Sequence, residues 1–168
     1  MSRRACCSPL GSAFALLGLV AASAAFFPQA AQAQAGPFQF HAVTPCRVVD
    51  TRNPNGTNGG PSLTQPGTRQ RTFQVQGNCG VPSGATAVTI NVTIANPAMT
   101  GPSGGGFLTV YPSNASLPNV STINFLNADN ALANGAIVPL ANQAGDLNVW
   151  LGGIGKVDVI LDVTGYFQ

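Results

Sequence analysis

Charge is scarce in this chain. Lysine and arginine together number 7, aspartate accounts for all 5 acidic residues, glutamate is absent, and there is 1 histidine and 1 tryptophan in 168 residues. Beyond Arg3 and Arg4, the cations Arg47, Arg52, Arg69, Arg71 and Lys156 meet Asp50, Asp129, Asp146, Asp158 and Asp162 one for one. That balance leaves no basic footprint for nucleic acid or for acidic membranes. With no glutamate, an EF-hand calcium loop has nothing to close it. Helical periodicity is missing too: from Phe38 onward no window carries an i, i+3, i+4, i+7 apolar stripe. Long hydrophobic runs are likewise absent. The longest, Ala13 to Phe27, is interrupted by Gly and Ser and falls short of the roughly 20 residues of a spanning helix. What the chain does have is a hydrophobic fraction of 45%, with 20 glycines and 13 prolines. This is enough apolar residue for one core in a single turn-rich domain.

The first 35 residues read as a secretory signal peptide. Arg3 and Arg4 precede the apolar stretch, and Ala31-Gln32-Ala33-Gln34-Ala35 supplies two overlapping small-x-small cleavage sites, after Ala33 or after Ala35. Ser2-Arg3-Arg4 invites a twin-arginine reading, which the residues after it fit poorly. Cys6 and Cys7 lie ahead of the apolar stretch and would leave with it. Cleavage leaves no membrane span and a secreted, extracellular or periplasmic domain at 36–168. Its two cysteines, Cys46 and Cys79, are expected to pair, because an even count in an oxidising compartment usually forms a disulfide. The bridge would contribute about 3–4 kcal/mol in the chain-entropy account. A metal site is not expected, since His41 and two separated cysteines lack zinc-ligand spacing, and no cofactor is expected either.

The apolar pattern of the mature chain has period two. Val88, Ile90, Val92 and Ile94 alternate with Thr89, Asn91 and Thr93, which predicts one core face and one polar face. Further strands are expected at Phe38–His41, Arg47–Asp50, Arg69–Gln76, Phe107–Tyr111, Val120–Leu126, Ala136–Leu140, Leu147–Leu151 and Val157–Phe167. Gly, Pro, Asn and Ser separate them at Asn53–Pro66, Asn96–Gly106, Pro112–Pro118, Asn127–Gly135 and Gly152–Gly155. About eight or nine short strands at such spacing predict an all-β antiparallel sandwich, with a small barrel as the second choice.

Catalytic sets are thin. Asp158 and Asp162 share one face of the last strand, about 13 Å apart, which suits glycosidase carboxylates poorly. Asp162 is instead expected to meet Arg47 or Arg52, and Asp50 and Arg52 to share a face and pair with other charges. Gly101-Pro102-Ser103-Gly104-Gly105 fits G-x-S-x-G, but a glycine tract leads from it straight into a strand, where a nucleophile elbow needs a helix. A serine hydrolase would have to join Ser103 to His41, and it stays a remote alternative. The oxygen-rich Asp50–Gly56 segment looks like a calcium loop, yet Arg52 stands where a ligand is needed, so a side-chain-capped turn is the better account.

Trp150 is the residue whose placement suggests binding. If Leu147, Val149 and Leu151 face the core, Trp150 projects outward on the same face as Asn148, as a platform on which a sugar ring could stack. Packing against a second layer or a strand edge is the competing account of Trp150. Tyr111, and more weakly Tyr166, are further aromatic candidates.

Several blocks carry a resemblance. Thr44-Pro45-Cys46-Arg47-Val48-Val49-Asp50-Thr51-Arg52, Val81-Pro82, Ala87–Thr93, Phe107-Leu108-Thr109-Val110-Tyr111-Pro112, Leu117–Phe125 and Val157–Phe167 follow one another in order. Together they resemble a functionally uncharacterised module of secreted bacterial, notably actinobacterial, exoproteins, found in tandem or appended to proteases, glycosidases and cell-wall hydrolases. The resemblance covers nearly the whole mature chain. It departs around Asn134 to Gly145, and the Cys46/Cys79 pair is not general to the module. It implies an extracellular, noncatalytic β-domain and brings no agreed ligand or catalytic residue.

The residues therefore predict a secreted, noncatalytic, disulfide-stapled β-sandwich that binds cell-surface or environmental polysaccharide, with Trp150, Asn148 and Tyr111 as the expected contacts. A structural surface or matrix protein acting by self-association or protein contact is the alternative.

Overall fold

The computed structural model describes residues 37–141 and 146–168, and the expected signal peptide, with Cys6 and Cys7, lies outside them. Nine strands form, with no helix among the described residues. They are β1 (Phe40–Asp50), β2 (Leu63–Gln65), β3 (Gln70–Gln74), β4 (Ala87–Met99), β5 (Gly105–Pro112), β6 (Ile123–Leu126), β7 (Ala131–Pro139), β8 (Asp146–Gly152) and β9 (Gly155–Phe167). One sheet runs β1-β9-β4-β7, with β2 continuing alongside β9; the other runs β3-β8-β5-β6. All pairings are antiparallel. The two sheets pack as a β-sandwich, and no closed barrel forms.

Side-chain alternation explains this packing. On β4, Val88, Ile90, Val92 and Ile94 are buried, while Thr89, Asn91 and Thr93 face outward and are half-buried. On β9, Val157, Val159, Leu161 and Val163 are wholly buried beside them. The opposite sheet supplies Phe73, Leu108, Val110, Leu147, Val149 and Leu151, so one apolar layer fills the space between the sheets. Burying each of these aliphatic side chains contributes about 1.5–3 kcal/mol.

Several strand bounds differ from expectation. The expected strands Phe38–His41 and Arg47–Asp50 merge into a single strand, β1, which starts at Phe40 and whose register against β9 shifts between Ala42 and Cys46 and again between Arg47 and Val49. β2 lies inside the Asn53–Pro66 tract that reads as loop. Its Leu63 is fully buried, and its three residues extend β9's outer edge. β7 begins at Ala131, within the expected Asn127–Gly135 loop, because backbone pairing to β4 holds residues whose side chains are exposed. Val120 lies before β6, in a loop that crosses the sheet.

Candidate functional site

The outer face of the β3-β8-β5-β6 sheet holds a concavity beside Trp150. Leu147, Val149 and Leu151 point into the core at 0% exposure, so Asn148 and Trp150 face the other way. Trp150 stands opposite Gln70 of β3 on one side and Thr109 of β5 on the other. The segment from Ser113 to Thr122 then folds back over this face. Thr109 donates its hydroxyl to the Val120 carbonyl at 2.6 Å, Thr122 accepts the Val110 amide at 2.9 Å, and the Thr122 amide donates to the Leu108 carbonyl at 2.7 Å.

Between that segment and the indole runs an open groove of about 260 Å³. Phe107, Thr109 and Trp150 lie on its sheet side, Leu117, Pro118, Asn119 and Val120 on its loop side, with Ser121 and Asn124 at the end. The indole is held on two sides. The Phe107 ring lies 5.5 Å away at a 48° tilt, and the Arg69 guanidinium sits 4.2 Å from the indole centroid. Arg69 is itself fixed by donating from Nε to the Leu151 carbonyl at 2.8 Å. The cation over the π-face fixes the ring's orientation, and Trp150 stays half-buried, with part of its surface open to the groove. Trp150 thus faces outward from its sheet, flanked by Phe107 and Arg69 and open to the groove.

Its expected companions differ. Asn148 and Tyr111 are each only 4% exposed and do not line the groove. Asn148 accepts the Thr72 hydroxyl at 2.7 Å, and Tyr111 donates its hydroxyl to Gln70 Oε1 at 2.8 Å. The covering segment starts directly after β5 and closes over this end of the face, which strand alternation alone does not reveal. The groove instead recruits Phe107, Asn119, Ser121 and Asn124, and Asn124 donates to Ser121 Oγ at 3.0 Å. The Leu117-Pro118-Asn119 run, an apolar residue beside turn residues, was the sequence signal for that wall. Tyr166, on the other sheet, stacks on His41 at 4.9 Å.

A second cluster closes the other sheet. Asp50 is 6% exposed and meets Arg52 in two bonds, 2.8 Å from Nε and 2.6 Å from the terminal nitrogen, while accepting the Arg52 amide at 3.1 Å. Asp50 and Arg52 therefore pair mainly with each other, in a side-chain-capped turn that leaves no calcium loop. Asp162 takes Arg47 rather than Arg52, at 2.8 Å from Nε, and Arg47 also approaches Asp50 at 3.5 Å. The Arg52 hydrogen bonds hold the Asp50 carboxyl below the usual aspartate range, outweighing burial, which pushes the other way. Because the folded value is the lower one, this stabilisation is complete above about pH 4 and is lost as pH falls through the folded value. Acid titration of unfolding stability should therefore show a loss below pH 4 that Asp50→Asn reduces. An unchanged acid limb in Asp50→Asn would show that Asp50 does not drive it.

Asp158 sits on the same strand face as Asp162 but is buried, accepting from Thr51 Oγ1 at 3.2 Å, from Ser62 Oγ and from Asn96 Nδ2 at 3.0 Å. The two carboxylates thus serve separate networks. An open depression of about 590 Å³ beside Arg47, Asn91, Asp162 and Thr164 has both charges on its floor already paired, and no aromatic platform. Ser103 and His41 are not brought together. His41 pairs with Tyr166 near the Ala87 end of β4, whereas Ser103 follows its Met99 end, roughly 40 Å away along a 13-residue strand. Among the described residues no group of three or more His, Cys, Asp or Glu is placed to hold a metal, and no helix is long and apolar enough to cross a membrane. The chain matches no protein-family profile and no curated protein sequence.

Proposed function

We propose that this chain is a secreted, noncatalytic module that binds a cell-surface or environmental polysaccharide in the groove at Trp150. The observation that carries the reading is a half-open indole, fixed by Arg69 and Phe107, facing a wall that offers the amides of Asn119 and Asn124. A pyranose ring has apolar C–H faces and a polar hydroxyl edge. An aromatic platform beside amide donors and acceptors matches both, with few polar groups fixing orientation. The scarcity of charge suits a neutral polymer, for which electrostatic steering has nothing to act on.

Secretion is supported by the signal-peptide pattern in the sequence, and the Cys46–Cys79 disulfide is compatible with an oxidising compartment. The resemblance to exoprotein modules agrees with a bacterial, extracellular, noncatalytic role. The test is a pull-down, on peptidoglycan, cellulose, chitin and isolated cell walls, of protein recovered from expression of the full chain. Retention on one polymer is expected, weakened at least about tenfold by Trp150→Ala, equivalent to roughly 1.4 kcal/mol, and less by Trp150→Phe. Retention on none of them, or equal retention by Trp150→Ala, overturns the proposal.

A further inference from the structure

Five strands border the two sheets, and four of them carry features that discourage pairing with another chain, β2 through being only three residues long. β1 is broken twice in register and carries Arg47 and the disulfide. On β3, Asn58 engages both the amide and the carbonyl of Gln74, at 3.0 and 2.8 Å. β6 has four residues, and the Leu126 amide is taken by Asp129 at 2.8 Å. β7 has none of these features. Its nine residues keep unbroken register with β4, contain no charge, and end at Pro139.

The direction of its backbone groups follows from the ladder. Leu140 donates to the Thr86 carbonyl beyond one end, and Asn96 donates to the Asn130 carbonyl beyond the other. Antiparallel alternation then turns Leu132, Asn134, Ala136 and Val138 toward β4, and Ala131, Ala133, Gly135 and Ile137 toward the open side. Among the described residues no strand pairs with that side. The side chains on the outer sheet face there are two alanines, a glycine and Ile137, which is 65% exposed.

We infer that β7 is a dimerisation edge that takes β7 of a second copy of this chain, antiparallel about a two-fold axis at Gly135. Strand addition draws affinity from backbone bonds and specificity from side-chain pockets. The outer face of this edge offers only Ala131, Ala133, Gly135 and Ile137, so the strand it fits is one as smooth and uncharged as itself. In the two-fold register each outward-facing residue meets another. Gly135 meets its own copy and Ile137 lies over the second copy's Ala133, giving about eight backbone hydrogen bonds. The described unit carries five cations against five aspartates, so two copies meet without net repulsion. Pairing of one strand edge buries less than the roughly 1,200 Å² of a standard interface, the size class of weak, transient association.

The inference stands apart from the Trp150 groove, which lies on the other sheet. Sedimentation velocity of protein recovered from expression of the full chain, over a concentration series through the micromolar range, should show monomer giving way to dimer. A Cβ at Gly135 meets nothing within 4 Å, so Gly135→Lys and Gly135→Asp fit the fold while placing like charges opposite each other at the axis. Each alone should be monomeric with an unchanged melting temperature, and an equimolar mixture of the two should dimerise again. Ile137→Lys gives a second disruption if either fails to fold, and Trp150→Ala should dimerise like wild type. Amides of Ala133, Gly135 and Ile137 should be protected from hydrogen exchange only at dimer-forming concentrations. Three results overturn the inference: a wild type monomeric throughout, dimers that survive Gly135→Lys, or protection of those amides in the dilute monomer, which would mean another segment of the chain covers the edge.

Discussion

Replacing both Cys46 and Cys79 with serine is expected to remove about 3–4 kcal/mol of stability and lower the melting temperature by roughly 10–15 °C. The bridge closes a loop with a sequence separation of 33, and freeing that loop enlarges the unfolded ensemble. Its position adds to the expected effect. Cys46 lies where β1 resumes its pairing with β9 after the register shift that follows Ala42, and Cys79 packs against the core from the turn after β3. Without the bridge, edge strand β1 would be held to β9 by an interrupted ladder and the Arg47–Asp162 pair, with Val48 and Val49 its anchors in the core. Denaturant unfolding of the double variant, compared with wild type under reducing and non-reducing conditions, measures this. Wild type under reduction should coincide with the double variant, and the reductant should not move the variant. A loss below about 1 kcal/mol would show that the unfolded chain gains little freedom when the loop opens.

The second large effect is expected at Asp158→Ala. Its carboxylate is 5% exposed and collects Thr51, Ser62 and Asn96, which come from the end of β1, the approach to β2 and the end of β4. Thr51 extends the network further, because its hydroxyl accepts the Val159 amide at 2.8 Å while donating to Asp158. Truncation strands three donors in a space with little access to water, at a cost of about 3 kcal/mol. Asp158→Asn keeps an acceptor that the two hydroxyls can still reach, but sets one amide nitrogen against another at Asn96 or forces a flip. About 1–2 kcal/mol is expected for it. Equal losses in the two variants, measured by chemical denaturation, would mean that Asp158's charge matters rather than its number of hydrogen bonds.

The strongest period-two segments were legible from alternation alone, because β4 and β9 are the central strands of their sheet and turn one apolar face to the core. β2 was not legible, since three residues between prolines and glycines carry no period. The start of β7 was hidden for a different reason: it is held by backbone pairing while its side chains remain in water, so hydrophobicity does not mark it. At the groove, the outward direction of Trp150 followed from its neighbours in β8. Asn148 and Tyr111 are instead taken up by Thr72 and Gln70 of the neighbouring β3, cross-strand pairings with no local periodicity. Arg69 over the indole was equally invisible, because β3 and β8 are far apart in sequence and meet only through cross-strand register. Arg71, stacked 4.7 Å from the Phe73 ring and donating to the carbonyls of Gly56, Gly59 and Pro61, escaped for another reason: the path of the Asn53–Pro61 loop that it holds carries no period.

Phe40 pairs with Phe167, and Gln39 and Gln168 exchange backbone bonds at 2.9 and 3.1 Å, so Gln39 and Gln168 sit side by side at one end of the β1–β9 ladder. Tension applied through those two points loads the β1–β9 ladder in peeling geometry, where hydrogen bonds fail one after another rather than sharing the force. Peeling of β1 halts at Cys46, because from there the load passes through the covalent bridge to Cys79 and bypasses the remainder of the strand. Arg47, Asp50 and Thr51 lie beyond that point. Their bonds to Asp162, Arg52 and β9 are therefore shielded from a pull that opens the first turns of the ladder, and the domain can yield a short length of slack without surrendering its core.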